Sequence, residues 1–90
     1  MFTGLVSAMG HIVDRASGPG LVRFTVEAPY RADDLAIGAS VAHEGCCLTV
    51  VAATPTPEGV RYDVEVAQES LNVTTLGGLK PGDRVNLERS

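Results

Sequence analysis

Between Leu21 and Ala28 every second residue is apolar: Val22, Phe24, Val26 and Ala28 are separated by Arg23, Thr25 and Glu27. Successive strand side chains point to opposite faces, so this period buries one face of a sheet and wets the other, and a helix cannot do the same. The period recurs from Val60 to Ala67, where Val60, Tyr62, Val64 and Val66 alternate with Arg61, Asp63 and Glu65. It returns at Arg84 to Glu88, which buries Val85 and Leu87. A less regular first strand is expected from about Gly4 to Asp14. A chain dominated by this pattern folds as antiparallel β structure with a one-sided core.

Turn chemistry divides the runs. Ser17-Gly18-Pro19-Gly20 separates the first two strands, and Thr54 to Gly59, with Pro55 and Pro57, separates the fourth from the fifth. Pro81-Gly82 fits the central positions of a type II turn before the last strand. Two stretches break the β pattern. Tyr30 to Leu35 suits one helical turn, and Gln68 to Leu76 suits a short helix that Gly77 or Gly78 would end. Six short strands at this spacing predict an all-β fold, a six-stranded antiparallel barrel with one or two short helices, in one domain over residues 1–90. Its expected core includes Val22, Phe24, Val26, Val41, Leu48, Val64, Val85 and Leu87.

The run Ser40 to Val50 carries the chemistry. Strand-like residues flank Glu44-Gly45, and Gly at the second turn position favours a two-residue hairpin. The register then pairs His43 with Cys46, Ala42 with Cys47, Val41 with Leu48 and Ser40 with Thr49. Val41, His43, Cys46, Leu48 and Val50 fall on one face, the core face. Ser40, Ala42, Cys47 and Thr49 fall on the other, and all are small. A small, weakly polar outer patch lets a flat ring approach the backbone, whereas Ser and Thr are also ordinary exposed strand residues. The pattern alone leaves both readings open.

Other candidates carry plain alternatives. His43 has no Ser or Asp at triad spacing. Asp33-Asp34 reads as solvated or capping carboxylates. Glu69-Ser70, at the start of the short helix, would present N–H groups and a hydroxyl to ligand carbonyls or cap the helix. Cys46 and Cys47 are adjacent, which suits neither a disulfide nor zinc ligation, so free thiols in a reducing compartment are expected.

The net charge of −4, with few and scattered Lys and Arg, opposes nucleic-acid binding. The missing interleaved aromatic and basic residues oppose an oligonucleotide-binding barrel as well. No apolar run is long enough to span a bilayer, and no secretory signal opens the chain. A cytoplasmic protein with no membrane partner is expected.

Three stretches in order resemble the riboflavin synthase family: Met1-Phe2-Thr3-Gly4-Leu5-Val6, Gly45-Cys46-Cys47-Leu48-Thr49-Val50, and Glu69-Ser70-Leu71 with Thr74-Thr75-Leu76-Gly77. The resemblance covers nearly the whole chain. It implies a Greek-key barrel, the amino-terminal one of two, in a homotrimeric enzyme. That enzyme moves a four-carbon unit between two molecules of 6,7-dimethyl-8-ribityllumazine, giving riboflavin and 5-amino-6-ribitylamino-uracil. No metal or redox cofactor is implied; riboflavin or lumazine is bound as product or substrate. The resemblance places pteridine binding at Gly4, Leu5, Val6, Cys47, Leu48, Thr49, Glu65, Val66, Ala67, Gln68, Glu69 and Ser70. It places catalytic roles among Phe2, Ser40, Cys47 and Thr49, without assigning acid, base or nucleophile. Ser40, Cys47 and Thr49 are also what the hairpin register puts on one outer face.

The chain stops at Ser90, before the segment in which the family carries a Gly-Gly-His motif and its second barrel. The expectation is an isolated domain that binds ligand with little or no turnover and pairs as a homodimer. A non-catalytic lumazine- or flavin-binding protein is the alternative within the family. A flavin-reductase barrel would need a nicotinamide domain. The interior should be too well filled to hold a ligand, which places the pteridine in a groove outside the barrel, floored by Ser40, Cys47 and Thr49.

Overall fold

The structure is a computed structural model and describes residues 8–89. Phe2, Gly4, Leu5 and Val6 lie outside the described residues. Six strands follow in order: β1 Ala8–Gly18, β2 Leu21–Ala28, β3 Ser40–His43, β4 Cys46–Thr56, β5 Gly59–Ala67 and β6 Arg84–Arg89. They pair antiparallel and close as β1-β2-β5-β4-β3-β6, with β6 returning to β1. The meander β3-β4-β5 with β2 laid beside β5 is a Greek key.

The alternating runs form the strands expected of them. β2 buries Val22, Phe24, Val26 and Ala28, and β5 buries Val60, Tyr62, Val64 and Val66. All eight core positions named from the sequence are buried. Each such side chain contributes about 1.5–3 kcal/mol by leaving water. Leu35, Leu71 and Leu76, from the connections, are also buried and join the same core.

The turns hold in two places. Glu44 and Gly45 have φ of 51° and 83°, the pair of left-handed residues a type I′ hairpin requires. Gly82 has φ of 95°, and Asp83 N–H donates to Lys80 O at 3.0 Å across the turn, as type II geometry asks.

Three boundaries move. β1 runs on to Gly18, leaving only Pro19-Gly20 as the turn. β4 passes through Pro55 to Thr56, so the expected six-residue break shrinks to Pro57-Glu58. Beyond Val50, β4 has ladder partners only on β5, so the N–H that Pro55 lacks interrupts no second ladder. The short helix α1 spans Gln68–Val73 and stops before Gly77 and Gly78. Thr74 ends it: extended at φ −127°, its hydroxyl donates to Ser70 O at 2.8 Å and accepts from Leu76 N at 3.3 Å. Gly77 and Gly78 belong instead to a 3-10 turn, Thr75–Gly78. Arg15 ties that turn down by donating to Gly77 O at 2.9 Å and Leu79 O at 2.6 Å, with its guanidinium 5.4 Å from the Phe24 ring centre.

Candidate functional site

The hairpin register is the one its turn dictates: Ser40↔Thr49, Val41↔Leu48, Ala42↔Cys47 and His43↔Cys46. Val41, His43, Leu48 and Val50 are buried on the inner side, with Cys46 half-buried, while Cys47 and Thr49 are exposed and Ser40 is half-exposed. Ala42 departs from expectation. It lies between Cys47 on β4 and Glu88 on β6, which is itself buried, and a methyl flanked by two larger neighbours is covered at 5% exposure.

His43 is a core residue. Its Nδ1 lies 3.0 Å from Val41 O and its Nε2 lies 2.7 Å from the Tyr62 hydroxyl. A carbonyl only accepts, so Nδ1 carries the proton and Nε2 accepts from Tyr62. Burial lowers the His43 pKa to about 4, against the raising effect of the Val41 hydrogen bond. Burial likewise holds the Tyr62 phenol protonated far above its ordinary range. This satisfied pair is part of the packed core.

The outside differs. The β4–β5 ladder ends at Val50↔Val64. Beyond it, Cys46–His43 to Thr49–Ser40 pair across to β3, and Glu65, Val66 and Ala67 pair only with Arg23, Val22 and Leu21 of β2. Among the described residues, the two strands therefore part at one end of the barrel and leave a cleft edged by main-chain polar groups. Unpaired donors and acceptors at such an edge demand partners. One step past Val50↔Val64, Thr49 and Glu65 both point outward and flank the cleft.

The structure brings together Ser40, Cys47, Thr49, Glu65 and Ala67 at this cleft. Leu48 and Val66 turn their side chains into the core, and strand alternation gives their main-chain groups to Val41 on β3 and Val22 on β2; the main-chain groups that face the cleft are those of Cys47, Thr49, Glu65 and Ala67. Gln68, Glu69 and Ser70 follow directly as the first turn of α1, with Gln68 and Glu69 exposed and Ser70 half-buried. The main-chain N–H of Gln68 is taken by Gly20 O at 3.0 Å, so that donor does not face a ligand. No group of His, Cys, Asp or Glu among the described residues is placed to hold a metal.

Two neighbours were not singled out by the sequence. Arg23, opposite Glu65 on β2, donates from Nε to Asp63 at 2.8 Å and lies 3.7 Å from Glu65. The β2–β5 pairing is not a hairpin, so no turn advertises its register. A separate open concavity of about 320 Å³ lies at the far end of β4 and β5, lined by residues including Met9, His11, Glu27, Pro29 and Pro57. It contains none of the candidate residues.

The family model for the lumazine binding domain matches residues 3–90. This chain belongs to the lumazine-binding domain family. It is 42% identical, over its full length, to riboflavin synthase of Escherichia coli and 40% identical to that of Mycobacterium tuberculosis. The lumazine-binding domain described here spans 41% and 43% of the lengths of those two relatives. Among solved structures, LumP complexed with 6,7-dimethyl-8-(1'-D-ribityl) lumazine superposes with a TM-score of 0.78 at 28% identity, covering 100% of this chain and 49% of that one. LumP complexed with riboflavin gives 0.76 at 27% identity, covering 99% and 46%.

Proposed function

We propose that this domain binds 6,7-dimethyl-8-ribityllumazine and riboflavin in the cleft between β4 and β5, on the outside of the barrel. The observation that carries the reading is the unfinished β4–β5 ladder beside Ser40, Cys47 and Thr49. The main-chain groups of Cys47, Thr49, Glu65 and Ala67, which face the cleft and have no ladder partner among the described residues, suit the donor and acceptor edge of a pyrimidinedione. The small outward side chains let the ring lie close. The family model and the ligands named for the two LumP structures support the same ligand class.

Within a full riboflavin synthase, we assign the domain to one half of a site in which two lumazines are held face to face. Most of the rate then comes from proximity and orientation. One ring loses a methyl proton to give a carbanion, and a nucleophile adds to the other. Ser40, Cys47 and Thr49 are the side chains at hand for these steps, with Phe2 contributed from outside the described residues. The four-carbon transfer leaves riboflavin and 5-amino-6-ribitylamino-uracil. Alone, the domain supplies one platform and is expected to bind without appreciable turnover. The LumP likeness favours, as a second reading, a binding protein that performs no transfer; riboflavin formation by the parent chain separates the two. The free thiols of Cys46 and Cys47 support a reducing, cytoplasmic setting.

Fluorescence titration with riboflavin tests the site. Thr49→Val keeps the side-chain shape and removes the hydroxyl; it should weaken binding by about 1 kcal/mol, or about fivefold in Kd. Ser40→Ala should weaken it in the same direction. Unchanged affinity in both variants would rule out the outer cleft.

A further inference from the structure

The side chain behind Glu65 has a role that the pteridine reading does not require. Arg23 stands on β2, directly across from Glu65 and on the side of β5 away from the cleft. Its Nε and Nη2 both donate to one oxygen of Asp63, each at 2.8 Å. Two bonds from a planar guanidinium to one carboxylate fix its orientation. Nη1 then lies 3.7 Å from Glu65, near enough for Coulomb attraction and too far for a hydrogen bond. Glu65 is thus held in place while both its oxygens stay free to accept. Its side chain is 40% exposed, and it flanks the cleft beside Thr49.

A carboxylate restrained from behind and open in front suits a ligand that brings several hydroxyl donors. The ribityl chain of the proposed ligands is such a group. We propose that Arg23 is a positioning residue. Anchored by Asp63, it holds the Glu65 carboxylate at the cleft wall for the hydroxyls of a polyol substituent, and so lets the site prefer ribityl-bearing rings over bare ones. The proposal rests on the outer-cleft reading above. Without Arg23, Asp63 and Glu65 would repel across one strand face, and Glu65 would have to be ordered by the ligand itself.

The test compares riboflavin with lumiflavin, which has the same ring with a methyl in place of the ribityl chain. Arg23→Gln removes the charge. It should raise the riboflavin Kd by about fivefold, the cost of ordering one long side chain, and leave the lumiflavin Kd unchanged. Arg23→Lys, a point charge without the fork, should recover part of the preference. Glu65→Gln, which leaves the Arg23–Asp63 pair intact, should lower the riboflavin preference to the same degree, and combining it with Arg23→Gln should add little. Equal loss for both ligands in Arg23→Gln, or additive losses in the double variant, would overturn the positioning role. If Thr49→Val and Ser40→Ala weaken binding while Arg23→Gln leaves the riboflavin-to-lumiflavin ratio intact, this proposal alone falls. If those two variants bind as the parent does, the site and the proposal fall together.

Discussion

At the scale of single residues, His43 and Tyr62 show how the fold uses a polar pair where it has too few aromatic residues to fill a core. Both ring nitrogens of His43 are satisfied only while the ring is neutral. A proton on Nε2 would face the Tyr62 O–H donor, and the charge would sit in apolar surroundings. The folded pKa of about 4 lies below the ordinary 6.5, so the unfolded chain takes up the proton first as pH falls. The stability this group contributes is whole above pH 6.5, declines between 6.5 and 4, and is gone below 4. Its size is about 3 kcal/mol as an upper figure. Urea midpoints of the parent should fall across that window more steeply than those of His43→Gln, which has no proton to gain. Parallel slopes in the two proteins would contradict the assignment. The hairpin register put His43 on the core face, but its partner was not legible. Tyr62 belongs to β5, and nothing in the sequence says which β5 residue ends opposite a β3 histidine.

Among elements, the close approach of β5 to the end of β2 depends on one absent side chain. A Cβ at Gly59 would collide with Ala28 O and come within 3.0 Å of Pro29 Cα, both of them backbone, so β5 would have to move. Gly59→Ala should cost about 2–3 kcal/mol in chemical denaturation, as overpacking at a rigid contact does. Gly78→Ala meets nothing within 4 Å and should stay within about 0.5 kcal/mol of the parent. Equal effects at the two glycines would refute the contact. The strands that alternate cleanly, β2 and β5, were readable in full, because period and burial coincide there. The end of α1 was not. Glycine is the usual stop, but the Thr74 hydroxyl serves both the helix it closes and the turn it opens, which no local preference announces. Pro55 misleads for a related reason: proline breaks strands only where its missing N–H is wanted.

For the whole molecule, the sequence yielded the closed barrel with its packed Val-, Leu- and Phe-lined interior, and that packing is why the proposed site lies outside. It could not yield the separation of β4 from β5, which depends on where two non-adjacent ladders run out. Near the hairpin two large apolar side chains are left exposed. Ile37 is 71% exposed at a turn bonded to Val50, and Val51 lies outward beyond Thr49. We propose that the isolated domain covers this region by pairing with a second copy, most simply as a twofold dimer. Light scattering at high protein concentration should give about twice the chain mass, and Ile37→Glu should return it to the monomer. A monomeric parent at every concentration would refute the pairing.

The parting of β4 from β5 has one more consequence. Where the β4–β5 ladder runs out, the two strands lack the cross-strand hydrogen bonds that tie them together along the rest of that seam. A ring seated there would stitch the remaining half. Part of the affinity then goes into stilling the protein's own backbone, and the occupied domain would be stiffer at its mouth than the empty one, with the same fold throughout.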